Sequence, residues 1–157
     1  MQDVNVLVVF PSPGERLEQL AQAAAVGAVQ GRANIRLRCL QPAAGQTAPD
    51  TDYIAPRDSD VEWADAIVAG VAADARGDAL EKYFGSLGSL RDPGRSKGKI
   101  GASFTEAGSS SLQAAMNGVG LITIAMNSEP DALTAARMQG RRVAEVARAV
   151  RRAGQAS

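Results

Sequence analysis

Asn5-Val6-Leu7-Val8-Val9-Phe10 is a continuous apolar run near the amino terminus, and Pro11-Ser12-Pro13-Gly14 stops it. An apolar run of this length that ends in turn residues predicts a β-strand buried on both faces, as in parallel sheets. From Glu15 the apolar residues recur with the period of an α-helix, and Gly31 ends that pattern. The inward face of this helix is predicted to carry Leu17, Leu20, Ala21, Ala24 and Ala28. The chain therefore begins with a buried strand, a tight turn and a helix.

The alternation of strand and helix continues along the chain. Asn34 to Leu40 alternates between Ile35, Leu37 and Cys39 on one side and Arg36 and Arg38 on the other, which predicts an edge strand with one wet face. Gln41 to Ser59 and Arg91 to Gly98 show no period and are predicted to be loops. Further strands are predicted at Ala66 to Ala69, Lys99 to Phe104 and Leu121 to Met126, and further helices at Asp78 to Leu87, around Leu112 to Asn117 and from about Asp131 onward.

Five strands that alternate with helices predict an α/β fold with a mostly parallel sheet. A buried first strand and a half-exposed second strand favour the strand order 2-1-3-4-5 of the flavodoxin-like fold, a three-layer sandwich. The last helix is predicted to face the core with Leu133, Ala136, Gly140, Val143, Ala147 and Val150. Neither an internal repeat nor a domain boundary is visible, so residues 1–157 are predicted to form a single domain.

Composition narrows the possible functions. The chain has 17 Lys plus Arg and 17 Asp plus Glu, and a formal net charge of zero argues against a nucleic-acid binder or a membrane-surface protein. It has no histidine and one cysteine, Cys39, which excludes histidine triads, histidine-ligated metals and cysteine-ligated clusters. A lone cysteine and the lack of a membrane-spanning apolar run lead us to expect a cytoplasmic location. If the protein is an enzyme, we therefore expect a borrowed cofactor to carry its chemistry.

Four stretches of the chain carry a family resemblance. Leu133 to Glu145 contains Ala136-Arg137-Met138-Gln139-Gly140, and this stretch is similar to the closing helix of one family, with its Ala-Arg-aromatic-Gln-Gly core. That family comprises the flavodoxin-like NAD(P)H:quinone oxidoreductases once described as tryptophan-repressor-binding proteins. Val6 to Phe10, Ala64 to Gly70 and Gly98 to Phe104 support the resemblance. It implies bound FMN, a reduced pyridine nucleotide as hydride donor, a quinone acceptor and a homo-oligomer.

Three loops beyond the carboxyl ends of the strands face the crevice where such folds bind ligands. On the family pattern, the cofactor-binding residues are Ser12, Gly14 and Arg16 in the first loop, Ala72, Ala73 and Asp74 in the second, and Thr105, Gly108 and Ser109 in the third. All three loops depart from that pattern. Pro13 removes an N–H donor from the phosphate turn, and the second loop lacks hydroxyl groups. No catalytic residue is assigned, and the spacing of the acidic residues predicts no metal site.

Two functions from different classes remain open. The first is an FMN-dependent NAD(P)H:quinone oxidoreductase, which descent favours. The second is a cofactor-free protein of the same lineage that acts as an oligomer or a partner-binding subunit, which the altered loops favour. Ser12 and Gly14 can instead form a rigid turn, and the serines after Gly108 can cap a helix. Cys39 is predicted to be a core residue, and Trp63 to cover the edge of the core.

Overall fold

A computed structural model describes residues 3–11, 15–40, 54–70, 78–86, 99–105, 109–126 and 130–156 of the chain. In these ranges strands and helices alternate in the order β1 (Val4–Phe10), α1 (Glu15–Gln30), β2 (Ala33–Cys39), α2 (Asp58–Trp63), β3 (Ala66–Ala69), α3 (Asp78–Ser86), β4 (Ile100–Ser103), α4 (Ser109–Gly118), β5 (Ile122–Ile124) and α5 (Ala132–Ala156). None of the described helices combines the length and the hydropathy needed to cross a membrane.

The strands form one parallel sheet in the order β2-β1-β3-β4-β5. β1 lies between β2 and β3, with Val6 opposite both Ile35 and Ala66. The predicted α/β class and the predicted strand order are confirmed. β2 and β5 are the two edge strands. The alternating pattern of β2 predicted this position for β2.

Helices cover both faces of the sheet because the side chains of β1 point alternately to each face. Val4, Val6, Val8 and Phe10 pack with α1 and α5, and Leu7 and Val9 pack with α2, α3 and α4. The predicted three-layer sandwich is therefore confirmed. All of β1 except Asn5 is buried, which accounts for its continuous apolar run.

Two glycines allow α1 and α5 to touch along their backbones. A Cβ atom on Gly27 would lie 1.8 Å from the Arg137 carbonyl oxygen, and one on Gly140 would lie 1.9 Å from the Ala24 carbonyl oxygen. The inward face predicted for α1 is confirmed, since all five of its predicted residues are buried. On α5 the prediction is wrong for Leu133, which is 36% exposed, whereas Ala135 and Ala136 bury the first turn of the helix.

The region around β2 differs from the sequence prediction. Asp58 and Ser59, predicted to end a loop, instead begin α2, a six-residue helix too short to show a period. The face of β2 predicted to be wet is half-covered, because Arg36 and Arg38 bind the buried carboxylate of Asp60 in that helix. The Arg36 guanidinium also lies 4.2 Å from the centre of the Trp63 ring. Trp63 packs against the core, as predicted.

Candidate functional site

The carboxyl ends of the parallel strands lie along one side of the sheet, which we call the carboxyl edge. β1 ends there at Phe10, β3 at Ala69 and β4 at Ser103. The chain leaves β1 toward α1 on one face and leaves β3 toward α3 on the other face. In open α/β sheets a ligand binds in the crevice at such a switch point. The carboxyl edge between β1 and β3 is therefore the candidate site.

α1 brings Arg16 to the carboxyl edge beside β1. The helix begins at Glu15, so Arg16 lies in its first turn. The backbone N–H groups of a first helical turn lack partners within the helix, and with the helix dipole they favour an anion. The Arg16 side chain is exposed, and within the described ranges it makes no hydrogen bond or ion pair. The first turn of α1 therefore carries an exposed positive charge on Arg16, next in the chain to the acidic residue Glu15.

Arg16 also lies in the field of an acidic residue, Asp131, at the start of α5. The Asp131 carboxylate accepts hydrogen bonds from the Thr134 hydroxyl (2.7 Å) and from the Thr134 N–H (3.0 Å). These bonds lower the pKa of Asp131, and the positive charges of Arg16 and Arg137 lower it further. Asp131 is thus ionised at neutral pH, and it competes with any anionic ligand for Arg16.

The residues that follow β3 and β4 form a closed wall beside the switch point. Gly70 follows β3, and a Cβ atom there would lie 2.8 Å from the Phe104 ring and 2.9 Å from the Thr105 methyl group. Phe104 is fully buried, and Thr105 is only 7% exposed. The Ser103 hydroxyl donates to the Thr105 carbonyl oxygen (2.6 Å) and accepts from the Thr105 N–H (3.2 Å). The hydroxyl of Ser103 and the backbone of Thr105 therefore bind each other.

Three of the nine predicted cofactor-binding residues lie in the described part of the chain. Arg16 and Thr105 both lie at the carboxyl edge, and Ser109 begins α4. β3 separates β1 from β4, so these two strands are roughly 10 Å apart, a span that a flat ring with a phosphate tail can bridge. The other six residues lie outside the described ranges: Ser12, Gly14, Ala72, Ala73, Asp74 and Gly108.

Gln139 and Gly140, in the sequence motif of α5, have structural roles: the first at the carboxyl edge and the second in the contact between α5 and α1. Gln139 is fully buried, and its side-chain amide donates to the Ala125 carbonyl oxygen (3.2 Å), just after β5. Gly140 allows the close contact with α1. Gln139 therefore fixes the carboxyl end of β5, while Gly140 fixes the distance between two helices. Sequence reasoning missed both roles, and it also missed the packing of Phe104 on Gly70, although a glycine after an apolar strand was a visible signal.

Cys39 ends β2 as a buried residue, as predicted. Burial, followed by the charge of Glu18, raises the pKa of the Cys39 thiol to about 11. The thiol is therefore protonated at neutral pH and is not a nucleophile. In the ranges that the structure covers, no group of three or more cysteine, aspartate or glutamate side chains is placed to hold a metal ion.

No protein-family model and no curated protein sequence matches the chain. Several solved structures match its fold. It is similar to a flavodoxin from the domain Archaea, with 16% identity, a TM-score of 0.62, and coverage of 92% of this chain and 99% of that one. It is similar to the diflavin flavoprotein A3 from Nostoc sp., with 13% identity, a TM-score of 0.63, and coverage of 98% and 99%. A flavone reductase matches with 16% identity, a TM-score of 0.51, and coverage of 94% and 64%. At these identities the likeness establishes the flavodoxin-like fold.

Proposed function

We propose that this chain is a flavoprotein oxidoreductase that holds FMN at the carboxyl edge between β1 and β3. The observation that carries the proposal is the exposed Arg16 in the first turn of α1, directly beyond a buried strand of a flavodoxin-like sheet. The phosphate of FMN is an anion that an arginine and a helix start both attract. Similar structures include a flavodoxin and a diflavin flavoprotein, which supports the choice of a flavin.

The described residues fit the phosphate of FMN, the anionic part of the cofactor. The N–H groups at the start of α1 and the guanidinium of Arg16 suit the phosphate. Gly70, Phe104 and Thr105 form a buried wall behind the place of the ring system, and they would support that site without contacting the ring. A side chain larger than glycine at position 70 would displace Phe104 and Thr105 and break this wall.

When bound, FMN supplies the redox chemistry, since it accepts a hydride equivalent and passes electrons on. The residues of this chain bind and orient it. Arg16 offsets part of the phosphate charge, and the Gly70–Phe104 contact supports the site from behind. Neither Asp131 nor Cys39 exchanges a proton near neutral pH, because the pKa of the first is lowered and that of the second is raised to about 11. Neither of these two side chains therefore acts as a general acid or base for the bound flavin.

We further propose NAD(P)H as the electron donor and a quinone as the acceptor. The similarity of Ala136-Arg137-Met138-Gln139-Gly140 to the closing helix of NAD(P)H:quinone oxidoreductases supports this choice. A flavone reductase is among the structures with a similar fold, so the fold is compatible with a reductase. The test is the oxidation of NADH or NADPH by the FMN-loaded protein with and without a soluble naphthoquinone. We expect turnover that depends on the quinone, and none would overturn this choice of substrates.

The cofactor-free alternative has support from one observation. The Ser103 hydroxyl and the Thr105 backbone bind each other instead of pointing to a ligand. An FMN titration of the purified protein, followed by quenching of flavin fluorescence, distinguishes the two functions. Saturable quenching supports the flavoprotein. A colourless protein that leaves FMN fluorescence unchanged at high concentration overturns it and favours a role that depends on surfaces alone.

Arg16→Gln is expected to weaken FMN binding about tenfold or more. The substitution removes a charge-assisted hydrogen bond to phosphate, which is worth roughly 1.5–3 kcal/mol. Riboflavin lacks the phosphate, so its affinity should be the same for the variant and the wild-type protein. Fluorescence titrations with both flavins measure the two affinities.

Arg142→Gln is the matched control for this prediction. Arg142 is exposed on α5, roughly 16 Å along the helix from Asp131, and its loss changes the net charge by the same amount. FMN affinity should change by less than about twofold in this variant. Equal losses in both variants would show a general charge effect, and no loss in Arg16→Gln would place the phosphate away from α1.

A further inference from the structure

An apolar groove runs between α1 and the edge strand β2, on the face of the sheet covered by α1 and α5. We call it the β2 groove; it has a volume of about 450 Å³ and is lined by Gln22, Ala25, Val26, Val29, Gln30, Ile35 and Leu37. Val26 is 51% exposed and Val29 is 54% exposed, and both point away from the core. No charged residue lines the groove. It is therefore an apolar surface beside an edge strand, away from the carboxyl edge.

The backbone of β2 has hydrogen-bonding groups on its outer side. The Leu40 N–H donates to Phe10 of β1 (2.9 Å), whereas the Cys39 N–H points away from β1 and donates to the Ile54 carbonyl oxygen (3.0 Å). Because N–H directions alternate along a strand, the N–H groups of Ile35 and Leu37 also point outward. Among the residues that the structure describes, none is hydrogen-bonded to the outer N–H groups of Ile35 and Leu37, whereas Ile54 covers the edge at Cys39.

We infer that the β2 groove is a self-association surface, on which a second copy of this chain docks with its β2 antiparallel to the first, around a twofold axis at Ile35. An open strand edge is self-complementary in antiparallel pairing, and a twofold axis makes both partners use the same surface. The stretch from Ala33 to Leu37 is centred on Ile35. The pairing therefore uses the outer N–H groups of Ile35 and Leu37 and leaves Cys39, already bonded to Ile54, outside it.

This register also gives compatible side chains. Ile35 meets the partner's Ile35, and Leu37 meets the partner's Ala33, on the side of the groove. Arg36 faces the partner's Asn34 and not a second arginine, and Arg38, which comes level with the partner's Arg32, is paired with Asp60 of its own chain (2.9 Å). The Leu37 carbonyl oxygen accepts a hydrogen bond from Arg38 (3.0 Å) and keeps a second lone pair for the partner.

The same twofold axis also brings opposite charges of the two copies together, because the two ends of the groove carry Glu18 and Arg32. Glu18 lies on the same stripe of α1 as Gln22, Ala25 and Val29, by its spacing. It lies near the carboxyl end of β2, since its charge acts on Cys39. Arg32 follows α1 at the other end of the groove and is exposed.

The midpoint between Glu18 and Arg32 is Ala25, which lines the groove together with Ile35. A twofold axis at this level reverses α1, so that Glu18 of each copy approaches the partner's Arg32. Two opposite-charge pairs then flank an uncharged centre. This charge complementarity of the surface with itself favours a second copy over an unrelated partner.

Ile35→Lys is expected to abolish the dimer, because the axis places two lysines directly opposite each other. The measurement is sedimentation equilibrium over a wide range of protein concentrations, with circular dichroism to check folding. Wild-type protein should approach twice the monomer mass, and the variant should raise the dissociation constant at least roughly 100-fold. The matched control is Ile122→Lys, which changes a 49% exposed isoleucine on the opposite edge strand, β5, and should leave the dimer intact.

Two further measurements test the proposal: exchanging the charges of Glu18 and Arg32, and hydrogen exchange of the backbone amides of β2. Glu18→Arg and Arg32→Glu should each weaken the dimer about tenfold, and the double variant should restore it. In wild-type protein, the amide hydrogens of Ile35 and Leu37 should exchange more slowly as concentration rises, which keeps the proposal testable if Ile35→Lys does not fold. A wild-type monomer at the highest soluble concentration overturns the proposal. So does a dimer that Ile35→Lys leaves intact or that Ile122→Lys disrupts equally.

Discussion

Replacing Gly140 with alanine is expected to lower the free energy of unfolding by about 3 kcal/mol. The added Cβ atom would lie 1.9 Å from the carbonyl oxygen of Ala24 and 2.8 Å from its carbonyl carbon. Both are backbone atoms, so no change of rotamer relieves the overlap, and α1 and α5 must separate. The separation opens the core that Ala24, Ala136 and Val143 share. This loss exceeds the gain of about 1 kcal/mol in helix propensity that alanine has over glycine.

Urea unfolding followed by circular dichroism measures the effect, and Gly85→Ala is the matched control. Gly85 is also helical, but a Cβ atom there has nothing within 4 Å. This variant should be unchanged or up to about 1 kcal/mol more stable. In thermal unfolding, Gly140→Ala should lower Tm by roughly 6–12 °C in a domain of this size. Equal stability of the two variants would contradict backbone contact between α1 and α5.

The strand order could be predicted because it depends on burial, which the sequence records residue by residue. The continuous apolar run of β1 requires cover on both faces and neighbours on both sides, whereas the alternation in β2 suits an edge. The inward face of α1 could be predicted for the same reason, since a helix with a single buried face has a regular period.

α2 and the partner of the β2 arginines could not be predicted in this way. Six residues are too few for a helical period, so the sequence gives no signal for α2. The alternation in β2 shows that Arg36 and Arg38 share a side, but only the fold brings Asp60 within hydrogen-bonding distance, 22 and 24 residues away. Long-range ion pairs have no sequence period, which is why this side was predicted to be wet.

The candidate site shows the same division between general position and detailed geometry. Its place at the carboxyl edge follows from strand order alone, so the sequence could predict it. The charge of Arg16 at the start of α1 could also be predicted from the turn that precedes it. The competition of Asp131 for that arginine depends on how α5 packs beside α1, and residue spacing contains no information about it.

Asp60→Asn is expected to lower the free energy of unfolding by about 3–5 kcal/mol, because it leaves two arginines without a buried counter-charge. The Asp60 carboxylate, with 3% of its side chain exposed, binds Arg36 (2.9 Å) and Arg38 (2.9 Å). It also accepts the backbone N–H of Arg57 (2.9 Å). Asparagine supplies one acceptor in place of two, and its N–H₂ group faces guanidinium donors. Urea unfolding at neutral pH measures the loss.

The same carboxylate predicts a pH dependence with a definite sign. Burial alone would raise the pKa of Asp60, but hydrogen bonds from Arg38, the Arg57 backbone and Arg36 outweigh it and lower that pKa. The carboxylate of Asp60 therefore binds a proton less readily in the folded protein than in the unfolded chain, where the pKa of an aspartate is about 3.9. The contribution of Asp60 to stability is complete above that pH and is lost as the pH falls through the lower pKa of the folded state. The stability difference between wild type and Asp60→Asn should thus be constant between about pH 5 and 7 and shrink below about pH 4.

Asp58→Asn separates the buried pair from a general effect of acidic residues in α2. Asp58 lies two residues earlier in the same helix, its side chain is exposed, and it takes part in no ion pair among the described residues. Its replacement should cost no more than about 0.5 kcal/mol, because an exposed charge in the first helical turn contributes little. A loss in Asp60→Asn no larger than this would show that water reaches the carboxylate and that α2 is not held on β2 by it. A large loss that persists unchanged at low pH would instead place the defect in packing, since a protonated Asp60 no longer differs from asparagine in charge.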